Sequence, residues 1–156
     1  MSIVTSFLWG PFLLQGVMMA VDEFYFHHRR GLPRWERLGH PLDSLTFLLC
    51  IVFTVNFPFT EENKNIFLWI SIFSCLFVTK DEFIHKKLFS SLEHWLHSLL
   101  FILHPIVLIC AYHLWKSETP FGVRFLIGQM WILIGFLIYQ TLYWNILWKK
   151  QLSLPQ

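Results

Sequence analysis

Apolar residues fill five long stretches of the chain, and the polar residues between them are few enough to be read one by one. The stretches cover about residues 2–27, 36–59, 66–86, 91–115 and 121–148; an α-helix needs ~20 apolar residues to cross a bilayer. Helix-breaking signals fall in the intervals. Gly31 and Pro33 interrupt the chain after the first stretch, and TEENKN at 60–65 predicts a polar turn after the second. Ser91 is placed to cap the fourth helix two residues before Glu93, and KSETP precedes the fifth. Pro41 predicts a kink in the second helix, and Pro105 lies inside the fourth. The pattern predicts an all-α polytopic membrane protein, with five transmembrane helices in a single membrane domain over residues 1–156. The first stretch has neither a basic lead nor a small-residue cleavage site, so it is expected to be retained rather than removed as a secretory signal.

Polar residues recur in the same order at two places. Residues 22–40 read DEFYFHHRRGLPRWERLGH and residues 81–97 read DEFIHKKLFSSLEHWLH. Each begins Asp-Glu-Phe, sets a histidine three or four residues after the glutamate, crosses a basic turn, and places a second glutamate four residues before another histidine. The equivalent pairs are Glu23 and Glu82, His27 and His85, Glu36 and Glu93, His40 and His97. Two tandem helix-pair repeats, 2–59 and 66–116, are thereby predicted to form a four-helix bundle about a pseudo-twofold axis along the membrane normal. The extra helix at 121–148 contains no acid and no histidine, which leaves it as a cover for one flank or as an oligomer interface.

Composition agrees with the hydropathy pattern. Hydrophobic residues make up 55% and aromatic residues 19% of the chain, and the mean hydropathy of +0.52 is far above that of a soluble domain. The net charge of +2 is small, but nine Lys and Arg residues lie on the side of the motif turns and three on the other. By the positive-inside rule the N-terminus is outside, and the C-terminus and both motif turns are cytoplasmic. The basic residues flank helices and form no extended patch, which argues against nucleic acid. Cys50, Cys75 and Cys110 all fall in apolar stretches and read as reduced packing residues. Seven of the ten acids and six of the eight histidines lie in or next to the two motifs. Ionisable groups at membrane depth are costly and point to function.

Side chains three and four apart share a helix face, so each repeat can aim four donors at one point. The predicted metal ligands are Glu23, His27, Glu36, His40, Glu82, His85, Glu93 and His97. Carboxylate with imidazole and no thiolate suits iron, manganese or zinc. A Glu facing a Glu-x-x-His in a four-helix bundle is the di-iron carboxylate arrangement; Glu82-x-x-His85 has that spacing, and the other three pairs are one residue wider. Asp22 and Asp81 point ~100° away from the following glutamate on an α-helix, which predicts that they orient ligating histidines, with a ligand role as the alternative. Asp43 lies three residues after His40 and reads as a further ligand, a partner of His97 or a catalytic group. His104, seven after His97, is an extra ligand, a substrate contact or a histidine hydrogen-bonded within the bundle. His28 and His94 lie off the main faces and can support the site, cap a helix or face headgroups; His113 is assigned no role. Gln15, Ser71, Ser74 and Gln129 read as helix-packing polar residues. The competing reading pairs these acids with Arg29, Arg30 and Lys86 as interfacial salt bridges, but such pairing does not require histidine at a fixed spacing from glutamate.

The histidine and carboxylate clusters at residues 22–43 and 81–104 resemble those of integral-membrane non-haem di-iron desaturases, hydroxylases and monooxygenases. The histidine boxes of that class are matched only by His94-x-x-His97 and the His27-His28 pair, and the chain is much shorter. The resemblance implies a reaction class: oxygen activation at two metal ions, iron first and zinc or manganese as alternatives, against a lipid or another hydrophobic substrate reaching the site near Phe101 and His104. No Gly-rich dinucleotide fingerprint or Cys-x-x-Cys-His is present, so electrons are expected from a redox partner protein docking on the basic cytoplasmic turns. The alternatives are a zinc-dependent membrane hydrolase, a non-enzymatic metal transporter or sensor, and a bis-histidine haem protein, which leaves the four matched glutamates unexplained.

Overall fold

The computed structural model describes residues 7–80 and 91–148, and every regular element in them is helical. Helix α1, Gly10–Val21, continues through a π-helical segment, Asp22–His27, and a last α turn, His28–Arg30. It is followed by α2, Arg34–Asn56; α3, Glu61–Val78; α4, Ser91–Ser117; and α5, Pro120–Leu142, which ends in a second π segment, Tyr143–Leu147. Asp81, Glu82 and His85 lie outside the described residues, so the ligands expected from the start of the second repeat have no structural account.

Local chemistry sets most helix ends. Gly31 turns the chain from α1 into α2 with φ 71° and ψ 162°, a conformation essentially confined to glycine. A Cβ there would also stand 3.0 Å from the Trp148 ring. Gly31→Ala is therefore expected to destabilise the fold by about 1–3 kcal/mol, read as an earlier midpoint in an SDS unfolding titration. Gly16→Ala is the control, because a Cβ at Gly16 meets nothing within 4 Å.

Two boundaries differ from the sequence expectation. The interval at 60–65 is not a turn: Thr60 accepts a hydrogen bond from the Asn63 backbone N–H at 3.1 Å and starts α3 at Glu61. A good N-cap followed by two acids at the positive end of the helix dipole outweighs the polarity of the segment. Helix α2 stops at Asn56 rather than near Phe59, because Phe57 is extended ahead of Pro58.

Helix α2 packs against both α3 and α5, while α1 packs on α4, and α4 also touches α2, α3 and α5. Helix α5 is thus an integral part of the packing. The apolar core lies away from the α1–α2 turn, around Phe12, Phe47, Ile51, Phe67, Val107 and Leu114. Cys50, Cys75 and Cys110 are free, and Cys50 and Cys110 are buried in this core. The outer surface is strongly apolar, with Trp69 72% and Leu76 66% exposed, while Glu23 and Glu36 are each 2% exposed.

Among the described residues three helices are long and apolar enough to cross a membrane: Arg34–Asn56, Ser91–Ser117 and Pro120–Leu147. Helix α1 has only 12 residues of regular α-helix before its π segment, and α3 carries Glu61, Glu62 and Lys64 at its start, so neither qualifies on length and composition.

Candidate metal centre

The α1 donors of the first repeat, Glu23 and His27, lie with Asp22 where that helix is wound as a π-helix. Its i→i+5 hydrogen bonding brings residues five apart onto one face, and Asp22 and His27 are five apart. Asp22 consequently faces the same interior as His27, where regular α-winding would have turned it aside. Asp22 Oδ2 is 3.4 Å from His27 Nε2, and Asp22 Oδ1 is 3.1 Å from His97 Nε2 on α4. Glu23 Oε2 is 3.6 Å from His27 Nδ1.

Two groups of donor atoms result, each lying within 4.8 Å: Asp22, His27, Glu93 and His97, and His27, Glu36 and His40. His27 belongs to both. Its ring is 0% exposed, and neither nitrogen has a hydrogen-bond partner among the described residues. The His40 ring is 4.6 Å away, centroid to centroid. Five predicted ligands, His27, Glu36, His40, Glu93 and His97, are brought together, and Asp22 joins them.

Glu23, also a predicted ligand, is held by α5. Gln140 Nε2 donates to Glu23 Oε2 at 3.0 Å, Trp144 Nε1 donates to Glu23 Oε1, and Ser44 Oγ donates to Gln140 Oε1 at 2.7 Å. Sequence reasoning missed Gln140, Trp144 and Ser44. The available signal was a second glutamine in a mostly apolar helix, four residues before a tryptophan and so on the same face.

Protein cations neutralise part of the acidity. Arg30 grips Glu36 with two hydrogen bonds, at 3.1 and 2.7 Å, and reaches Glu93 at 3.2 Å. Burial works against the Arg30 charge, but the two carboxylates more than offset it and hold the guanidinium above its ordinary pKa. Glu36 and Glu93 are equivalent positions of the two repeats, so one arginine joins both. Asp43 pairs with Lys80 at 2.5 Å. The salt-bridge reading thus accounts for Asp43 and for part of Glu36 and Glu93, and it reaches His27 only through the longer approaches of Asp22 and Glu23, at 3.4 and 3.6 Å.

The remaining candidates separate. His28 is at the surface, accepting or donating a 2.7 Å hydrogen bond with Tyr143 Oη and stacked on that ring. His94 is half-buried on α4. His104 lies deeper, between Ser74 Oγ at 2.9 Å and Gln15 Nε2 at 3.5 Å. A cavity of about 110 Å³ runs from Asp22, Glu23, His40 and His97 to Gln15 and His104, walled by Met19, Phe47, Leu100, Phe101 and Phe136.

A metal with bonds of ~2.1 Å holds its ligand atoms about 3–4 Å apart, so either group would close on an ion with small side-chain shifts. Buried carboxylates and imidazoles around a histidine with no hydrogen bond among the described residues fit divalent iron, zinc or manganese. No protein-family model, curated protein or solved structure matches this chain.

Proposed function

We propose that the protein is a membrane-embedded dimetal oxidoreductase that oxidises a lipid-soluble substrate with dioxygen. One observation carries this reading: fully buried His27, with neither nitrogen hydrogen-bonded among the described residues, is shared by two groups of carboxylate and imidazole donors. Asp22, His27, Glu93 and His97 would hold one ion, and Glu36 and His40 would hold the other with His27. Glu82 and His85 are proposed to complete the set. Glu23 would orient His27 while Gln140 and Trp144 hold its carboxylate in place.

Two iron ions bound there would supply dioxygen binding and reduction. Hydroxylation of a C–H bond by O₂ consumes two electrons and two protons and releases water, and a one-electron redox protein is proposed as the donor. The chain's own residues supply the surroundings. Phe47, Phe101 and Phe136 exclude water and present apolar surface to the substrate, and Arg30 neutralises the excess carboxylate charge at the turn. The apolar outer surface supports embedding in lipid, and the charge distribution supports cytoplasmic motif turns. The sharing of Arg30 by Glu36 and Glu93 supports a pseudo-twofold relation of the repeats. The apolar core beyond His104 favours a one-sided site over a transport path.

The test is elemental analysis with Mössbauer spectra of the purified protein, followed by substrate-dependent oxygen uptake. About two irons per chain, on the di-iron precedent, with uptake on adding a reductant and a lipid extract, is the expected result. Two zincs would replace oxidation with hydrolysis, and absence of stoichiometric metal in folded protein would return the cluster to salt bridging.

A further inference from the structure

We propose that the cavity beside this cluster binds a compact, lipid-soluble molecule through a neutral hydroxyl group, and that Gln15 selects for that hydroxyl. The inference rests on the oxidoreductase reading for the fate of the bound molecule, but not for its binding.

The hydrogen bonds at the deep end of the cavity fix a direction. Thr46 Oγ1 donates its one hydrogen to the Asp43 carbonyl at 2.9 Å. In the 3.1 Å contact between Thr46 and Ser74, Ser74 must therefore be the donor. Ser74 has then used its hydrogen, so in the 2.9 Å contact with His104 Nε2 the ring nitrogen must donate. Neutral His104 protonated at Nε2 leaves Nδ1 as an acceptor, and Gln15 Nε2 donates to it at 3.5 Å. Gln15 Nε2 also points to Met19 Sδ at 3.9 Å, which uses its second hydrogen. The amide orientation is thereby set, with every bond in the chain running from Gln15 towards Asp43.

The upstream end of this chain is an acceptor without a donor. Gln15 is 5% exposed, and its Oε1 has no hydrogen-bond partner among the described residues. Leaving such an oxygen unpaired is costly, and Gln15 lines the cavity. Three ligand chemistries fit poorly. A bare hydrocarbon cannot supply a hydrogen, an anion would face Asp22 and Glu23, and a protonated amine would be drawn to those carboxylates rather than to the neutral Gln15 amide. An alcohol or phenol supplies the hydrogen without charge.

Size narrows the class further. An apolar cavity of about 150 Å³ holds benzene, so 110 Å³ sets an upper limit of one small ring or a short branched segment. A longer tail would have to remain in lipid. With its hydroxyl on Gln15, the bound group would extend towards His40 and His97 at the other end of the cavity.

The test uses the full chain in lipid nanodiscs, both stripped of metal and loaded, with 4-fluorophenol and fluorobenzene followed by ¹⁹F NMR against empty nanodiscs. Wild type is expected to bind the phenol about 10-fold more tightly than fluorobenzene, with or without metal. Gln15→Leu, similar in size and relieved of the unpaired oxygen, should bind the two probes equally. Phe101→Trp, which fills the cavity, should weaken both. Equal affinities in wild type, an unchanged preference in Gln15→Leu, or binding unaffected by Phe101→Trp would each overturn the proposal. A hydroxyl preference that persists in protein that never takes up metal would uphold the binding site and remove the oxidative reading alone.

Discussion

Replacing His27 by alanine is expected to empty both donor groups at once. Among the described residues no other belongs to the two of them, so no other single substitution there should remove so much metal. Inductively coupled plasma analysis after gel filtration should show about two ions per chain in the wild type, as the di-iron carboxylate arrangement predicts, and almost none in His27→Ala. Loss of an orienting partner alone weakens metal binding roughly 10- to 100-fold, and loss of the shared ligand should exceed that. His28→Ala is the matched control, because His28 faces Tyr143 at the surface. Equal metal content in His27→Ala and wild type, with circular dichroism showing both folded, would sink the paired-site reading.

The second large effect is at Arg30. Glu36 and Glu93 are 2% and 3% exposed, and this guanidinium bonds to both. Removing one partner of a buried ion pair costs about 3–5 kcal/mol. The Arg30 side chain is 21% exposed, so solvent screening moves the expectation for Arg30→Ala to about 3 kcal/mol. Bound cations would supply the missing charge. The loss should therefore be largest in metal-stripped protein and clearly smaller after loading, as read by unfolding midpoints under the two conditions. A loss of the same size in both would mean that the carboxylates do not share their charge with an ion.

Arg30 also shows where two readings of one sequence meet. The basic turn between DEF and the second glutamate reads either as a salt-bridge partner or as a docking surface for a redox protein, and spacing alone does not choose. The fold brings Glu93 within 3.2 Å of an arginine 63 residues earlier. It leaves His27 out of the Arg30 pairing, with Asp22 and Glu23 at 3.4 and 3.6 Å from its two ring nitrogens instead.

The glutamate and aspartate of the first motif make the same point from the other side. On a regular α-helix Asp22 points away from the face that carries Glu23 and His27. The π winding turns Asp22 inward to His27 and His97, and Glu23 is taken up by Gln140 and Trp144 from the helix that the repeat does not include. That helix has no acid and no histidine, so a search for ligand types passes over its contribution.

What the sequence by itself determined is the helical class, the positions of the helices and the grouping of acids and histidines near their ends. Hydropathy over a helix length, breakers such as Gly31 and Pro33, and spacings of three and four are local properties that a chain carries wherever it packs. The start of α3 at Glu61 belongs to the same local physics, through Thr60 and the acids that follow. Only the tertiary structure decided that Asp22 turns inward, that α5 holds Glu23, that one arginine joins Glu36 to Glu93, and that Gln15 ends a hydrogen-bond chain at a cavity. Each of these depends on contacts between residues far apart in sequence, and a buried polar group takes whichever partner the packing of other helices brings within about 3 Å.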